Sequence, residues 1–248
     1  MSPPSPLPAW KSTLIATALK SQILTFGTYT LKSSRKSPYF VNCGLFATSK
    51  TIRSLSTAYA HAINTHAQEN PEFTFDVLFG PAYKGIPFCA TTASELGRLD
   101  PSRWDEVGYA YNRKEVKDHG EGGLLVGQAL KGKKVVIIDD VITAGTAIRE
   151  AIGIIEAQGG TLAGIVVAID RQEKMPSAAE REGKEDDDDE DDGAPRMSAI
   201  GEVRRETGVP VLAVLTLQDL IEGMREMGRG DEVQAMEEYR RQYGASDA

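Results

Sequence analysis

The stretch KKVVIIDDVITAGTAIREAIGII, Lys133–Ile155, divides into an apolar strand core (Val135–Ile138), two adjacent acids, a short turn holding Thr143, Gly145 and Thr146, and a helical pattern. It is a strand–loop–helix unit with its loop at the carboxyl end of the strand, the edge at which open α/β sheets bind ligands. The helix that follows begins with N–H groups that have no intrahelical partner and therefore suit a phosphate. Threonine hydroxyls can add donors to the same anion. Asp139 and Asp140 are poor phosphate ligands, but they suit sugar hydroxyls or a divalent cation. A loop that offers both chemistries fits a ribose 5-phosphate. It lacks the glycine-lysine-serine/threonine ending of a P-loop and is not a dinucleotide fingerprint. Helix capping by Asp140 or Thr143 accounts for single residues, not for the whole run.

The flanking sequence predicts the rest of an α/β fold. Trp10, Leu14, Ile15, Ala18, Leu19 and Ile23 recur with a period near 3.6, so an amphipathic helix is expected after Pro8 and before Gly27. Short strands are expected around Tyr29–Leu31 and Tyr39–Asn42, a helix over about Lys50–Gln68, a buried strand at Phe75–Phe79 closed by Gly80-Pro81, and a helix at Ile86–Leu96. Strands then follow at Val107–Tyr111, Val135–Asp139, Leu162–Asp170 and Val211–Leu215. Helices are expected at Ala147–Ala157, Ser198–Glu206, Leu217–Met227 and Asp231–Tyr243. Strands alternating with helices predict a central, mostly parallel sheet covered by helices on both faces. The length fits one domain over residues 1–248, and no internal repeat points to a solenoid.

Charge and composition exclude several function classes. The chain carries 36 acidic and 28 basic residues, but eight of the acids form the single run Glu185–Asp192, so the remainder is balanced. Bulk attraction to nucleic acid or to an anionic membrane is therefore not expected. The polar stretch around that run, about 174–196, is expected to be a mobile surface insertion, because like charges repel and nothing apolar is available to bury. No apolar stretch approaches the roughly 20 residues that cross a bilayer. The N-terminus MSPPSPLPAWKS has prolines where a signal peptide needs an apolar run, so a cytoplasmic location is expected. Cys43 and Cys89 are too few for a disulfide framework or a zinc site.

VVIIDDVITAGTA, Val135–Ala147, resembles the phosphoribosyl-pyrophosphate (PRPP) motif of the type I phosphoribosyltransferases. LKSSRKSPYFVNCGLF (Leu31–Phe46), GPAYKGIP (Gly80–Pro87), NRKEVKDHGEGG (Asn112–Gly123) and AIDRQE (Ala168–Glu173) resemble, in order and spacing, the segments of the orotate-specific branch of that family. The resemblance runs from Leu14 to Leu215. It implies the type I phosphoribosyltransferase fold, with a small N-terminal hood over about residues 8–46. It also implies that the acidic pair holds the ribose hydroxyls while Val141, Ile142, Thr143, Ala144, Gly145, Thr146 and Ala147 wrap the 5-phosphate.

The other segments have chemical readings of their own. Lys84 follows a strand end and a Pro-Ala-Tyr turn, from which it can reach the same cleft and meet pyrophosphate, with Tyr83 beside it. Arg113, Lys114, Lys117 and His119 place four potential cations in seven residues ahead of a glycine-rich stretch. A lid of this kind can close over a polyanion and exclude water. In the enzymes it resembles, the lid reaches the neighbouring subunit's site, which implies a homodimer with Arg113 and Lys117 acting across the interface. For the base, Lys32 offers a cation that can also meet PRPP, Phe40 an aromatic face, Thr143 a hydroxyl and Arg171 a bidentate partner for a carboxylate. Where related enzymes often have a second aromatic after Phe40, this chain has Val41, which can contribute only a backbone contact.

The resemblance implies transfer of the 5-phosphoribosyl group from PRPP to orotate, giving orotidine 5′-monophosphate and pyrophosphate in UMP biosynthesis. Mg2+ is expected as cofactor, bound mainly through PRPP rather than by direct protein ligation. The transition state is oxocarbenium-like, so positioning and charge stabilisation by Lys117, His119, Asp139 and Asp140 replace any covalent nucleophile. A purine phosphoribosyltransferase would leave Lys32 and Arg171 unexplained. A PRPP-sensing regulator could dispense with the cationic lid. The chain beyond Leu215 is too short for a decarboxylating domain, so a monofunctional enzyme is expected.

Overall fold

Along Val135–Ile138 alternate side chains enter two different cores. Val135 and Ile137 join one apolar cluster, Val136 and Ile138 the other, and all four are fully buried. A strand apolar at every position is what a sheet covered on both faces requires. The computed structural model describes residues 6–117, 123–143, 145–177, 180 and 195–247, with backbone alone at 116, 117 and 123.

The chain opens with α1 (Ala9–Lys20) and an antiparallel hairpin, β1 (Leu24–Thr30) and β2 (Lys36–Val41), which forms a small sheet of its own. A 3-10 turn at Cys43–Leu45 leads to α2 (Ser49–Glu69), β3 (Val77–Gly80), α3 (Gly85–Leu99) and the short α4 (Pro101–Trp104). Next come β4 (Gly108–Lys117), β5 (Gly123–Gly127), β6 (Lys134–Asp139), α5 (Thr146–Ala157) and β7 (Thr161–Asp170). The chain closes with α6 (Ala199–Thr207), β8 (Val211–Thr216), α7 (Leu217–Glu226) and α8 (Gly230–Tyr243).

The main sheet runs β5-β4-β3-β6-β7-β8, parallel throughout except for the antiparallel edge strand β5. Its parallel strands therefore end on one edge: Gly80 of β3, Asp139 of β6 and Asp170 of β7 all deliver the chain there. Ile148, Ala151 and Ile155 of α5 and Val203 of α6 cover one face, while α2, α3 and α7 cover the other. Among the described residues no helix is long and apolar enough to cross a membrane.

Two expectations need correction. The fourth strand runs past Tyr111 to Lys117, and its extension pairs with β5, a strand that no sequence pattern marks. A ribbon at the sheet edge needs no apolar alternation, and the YNRKEVK segment shows none. In the hairpin, β1 begins at Leu24 rather than Tyr29, with an irregularity between Phe26 and Tyr29. The acidic run Glu185–Asp192 lies outside the described residues. Its flanks are joined: Lys174 bridges Ser198, and the Met175 amide donates to the Met197 carbonyl at 2.9 Å.

Candidate active site

The loop after β6 is anchored on both faces of the sheet. Val141 packs against one core and Ile142, buried, against the other, so the backbone between strand and helix is held while Thr143, Thr146 and Ala147 stay exposed. Gly145 precedes α5 with φ +74°, a conformation that favours glycine, and a Cβ there would meet Arg149 Nη1 at 2.9 Å. No side chain caps α5. Its first-turn amides thus face the loop with the partial positive charge of a helix start. Ala144 lies outside the described residues.

Asp139 and Asp140 emerge side by side where β6 ends. The Asp140 amide donates to Asp139 Oδ1 at 2.9 Å, and the Asp140 carbonyl accepts from the amides of Ala168 and Ile169 on β7. Behind them the Tyr59 hydroxyl, fully buried on α2, donates to the Asp139 carbonyl at 2.7 Å. Burial pushes the Asp139 carboxyl up to about 6; the Asp140 charge adds to the rise, while the Asp140 amide and the Lys84 ammonium oppose it. Cys43 sits under the same pair, its thiol pushed up to about 12 by burial and by the charge of Asp140. A thiol held protonated in this way is a packing group. Tyr59 carries no sequence signal of its role, because a tyrosine on the apolar face of a helix reads as core.

Lys84 comes from the turn between β3 and α3. Gly80 and Gly85 make this turn tight enough: a Cβ on Gly80 would stand 2.1 Å from the Gly85 carbonyl oxygen and 2.6 Å from Cys89 Sγ. Asn112 Oδ1 accepts from the Ala82 amide at 2.9 Å, tying the turn to β4. Lys84 Nζ then meets Asp140 Oδ2 at 2.6 Å, and this hydrogen bond raises the lysine's pKa. Tyr83 is exposed, with Lys114 Nζ 5.8 Å from its ring centroid. Arg113 lies on β4 beside Asn112. The Lys117 side chain and His119 fall outside the described residues.

The hood hairpin meets the end of β7. β2 alternates, with Ser37 and Tyr39 buried inward and Phe40 exposed outward against Tyr29, ring centroids 5.5 Å apart. Arg171 stands on the inward side. Its guanidinium lies over the Tyr39 ring at 4.3 Å, Nη2 donates to Ser37 Oγ at 2.9 Å, and Nε donates to Glu173 Oε1 at 2.7 Å. Arg171 and Phe40 thus leave opposite faces of β2. Lys32 is exposed in the hairpin turn, and Val41 is half-buried against the core. Ser37, Glu173 and the buried Arg35 beside them fall within the segments that resemble the orotate-specific branch, but nothing in the sequence gives them a role of their own. Only the tertiary packing of the hood on β7 makes them one cluster.

Among the described residues no group of three or more His, Cys, Asp or Glu could hold a metal ion. Asp139 and Asp140 alone suit a divalent cation that also has substrate oxygens as ligands.

The family model for the phosphoribosyl transferase domain matches residues 50–192. The chain is 49% identical to an orotate phosphoribosyltransferase from Metarhizium anisopliae over 97% of this chain and 98% of that one. It is 48% identical to one from Neurospora crassa, over 97% and 99%. The crystal structure of orotate phosphoribosyltransferase from Francisella tularensis superposes with a TM-score of 0.73 at 37% identity, covering 93% of this chain and 98% of that one.

Proposed function

The chain belongs to the orotate phosphoribosyltransferases, and from that premise we propose how its residues carry the 5-phosphoribosyl group from PRPP to N1 of orotate, releasing pyrophosphate and giving orotidine 5′-monophosphate. The observation that carries the reading is the Lys84–Asp140 pair at 2.6 Å. It joins the GPAYKG turn to the DDVITAGTA loop, so the segment assigned to pyrophosphate and the segment assigned to ribose 5-phosphate lie within one side chain's reach.

The 5-phosphate takes the uncapped start of α5, with Thr143 and Thr146 hydroxyls and the amides from Val141 to Ala147 as donors. Asp139 and Asp140 accept the ribose hydroxyls and face the cationic sugar of the transition state. Lys84, with Tyr83, Arg113, Lys114 and Lys32, holds the diphosphate. Lys117 and His119 close over it and stabilise the departing charge, Lys117 and Arg113 acting from a second copy of the chain in a homodimer. Arg171, Lys32 and Thr143 meet the carboxylate and ring oxygens of orotate, with Phe40 and Val41 bordering the base through their backbone, because the Phe40 ring leaves the face of β2 opposite to Arg171. Mg2+ would be held mainly by PRPP, with Asp139 and Asp140 as the carboxylates suited to complete its shell, and would supply charge neutralisation for the pyrophosphate. A cytoplasmic setting completes the proposal.

The test is to follow orotate absorbance with PRPP and Mg2+, omitting each in turn and offering purine bases in competition. Orotate consumption that requires both PRPP and Mg2+ and ignores purines is expected. Consumption of a purine in place of orotate would refute the assignment of the base.

A further inference from the structure

Arg171 and Glu173 do not stand alone. Glu173 Oε1 holds Arg171, and its other oxygen lies 3.9 Å from Arg35 Nη1. Arg35 comes from the turn of the hood hairpin and is only 3% exposed. It is held chiefly by Glu180: Nε donates to Oε1 at 2.6 Å and Nη2 to Oε2 at 3.1 Å. Its Nη1 donates to the Lys174 carbonyl at 2.8 Å, and its guanidinium lies over the Tyr243 ring at 4.7 Å. Glu180 is fixed in turn by the Ser177 amide at 2.5 Å, with Arg196 Nη2 3.8 Å away. The charges alternate along one chain of contacts, Arg171, Glu173, Arg35, Glu180, Arg196, from the end of β7 to the root of the acidic segment.

Two carboxylates serve the buried Arg35, and they serve it unequally. A guanidinium removed from water must keep a counter-ion. If Glu180 is lost, the nearest replacement is Glu173, which is already engaged by Arg171. We propose that Glu180 is a positioning residue for orotate: by satisfying Arg35 it leaves Glu173 to hold Arg171 in its place over Tyr39 and beside Ser37. The proposal rests on the reading of Arg171 as an orotate ligand. It makes the root of the acidic segment part of the base-recognition apparatus, although Glu180 itself touches no substrate.

Separate KM values for orotate and PRPP test it. Glu180→Gln is expected to raise the KM for orotate about tenfold, equivalent to ~1.4 kcal/mol, and to leave the KM for PRPP within about twofold. Glu180→Asp should recover most of the loss. The decisive arm is the double variant Arg35→Gln/Glu180→Gln. With no stray guanidinium to draw Glu173 away, it should bind orotate better than Glu180→Gln alone, whereas a merely structural role for the pair makes the double variant worse. An equal rise in both KM values, no rise at all, or a double variant worse than the single one would overturn the proposal. Arg171→Gln separates the two readings. If it leaves the orotate KM unchanged, the assignment of Arg171 falls and the positioning role falls with it. If it raises the orotate KM while Glu180→Gln does not, only the positioning role falls.

Discussion

Asp139 is the residue whose chemistry depends most on where the fold puts it. In sequence it is one of two adjacent aspartates. In the structure burial beside a second carboxylate lifts it to about 6, against the pull of Lys84 and the Asp140 amide. Between the ordinary carboxylate range and that value the folded protein keeps a proton that the unfolded chain has lost. This group's contribution to stability therefore falls as pH rises through the window. In the proposed role activity runs the opposite way, because the ionised carboxylate is the form that would accept ribose hydroxyls. The kcat/KM for PRPP should climb through an apparent pKa near 6 and lose that limb in Asp139→Asn. Lys84→Met removes the ammonium that favours ionisation, so the residual activity of that variant should show its limb at higher pH. A limb unchanged in both variants assigns the titration to another group.

The turn between β3 and α3 and the helix α5 pose opposite glycine problems. Gly80 is in contact with backbone: its missing Cβ would collide with the Gly85 carbonyl oxygen. Gly80→Ala should lower the urea midpoint by the equivalent of about 3 kcal/mol, the cost of overpacking where backbone must shift. Gly153, in the middle of α5, faces open space, with nothing within 4 Å of where a methyl group would stand. Gly153→Ala should stabilise by about 1 kcal/mol through helix propensity alone. The same residue type is thus required in one place and tolerated in the other. A Gly80→Ala midpoint equal to that of the parent chain would remove the argument that the two glycines set the position of Lys84.

Taken as a whole, the sheet presents the loop after β6 and Lys84 on one edge, while Arg113 and Lys114 lie on β4, whose extension pairs with β5. The homodimer proposed above has Lys117 and Arg113 serving the site of a second copy of the chain. Mixing Lys117→Ala with Lys84→Ala should restore activity toward one intact site per mixed dimer. Subunit exchange without recovery would end the shared-site reading.

The sequence alone determined the α/β class, the positions of β6, α5, β7 and β8 to within a residue or two, and the strand–loop–helix unit proposed to bind phosphate. These features are written in local physics: an apolar run buried on both faces, a glycine where φ is positive, and helix-start amides with no cap. The tertiary structure decided the rest. The edge strand β5 is specified by pairing rather than by pattern, Tyr59 supports Asp139 from a distant helix, and Arg171 reaches Ser37 and Glu173 only when the hood folds onto the end of β7. Such contacts join residues far apart in the chain, and no periodicity or motif records which of them will meet.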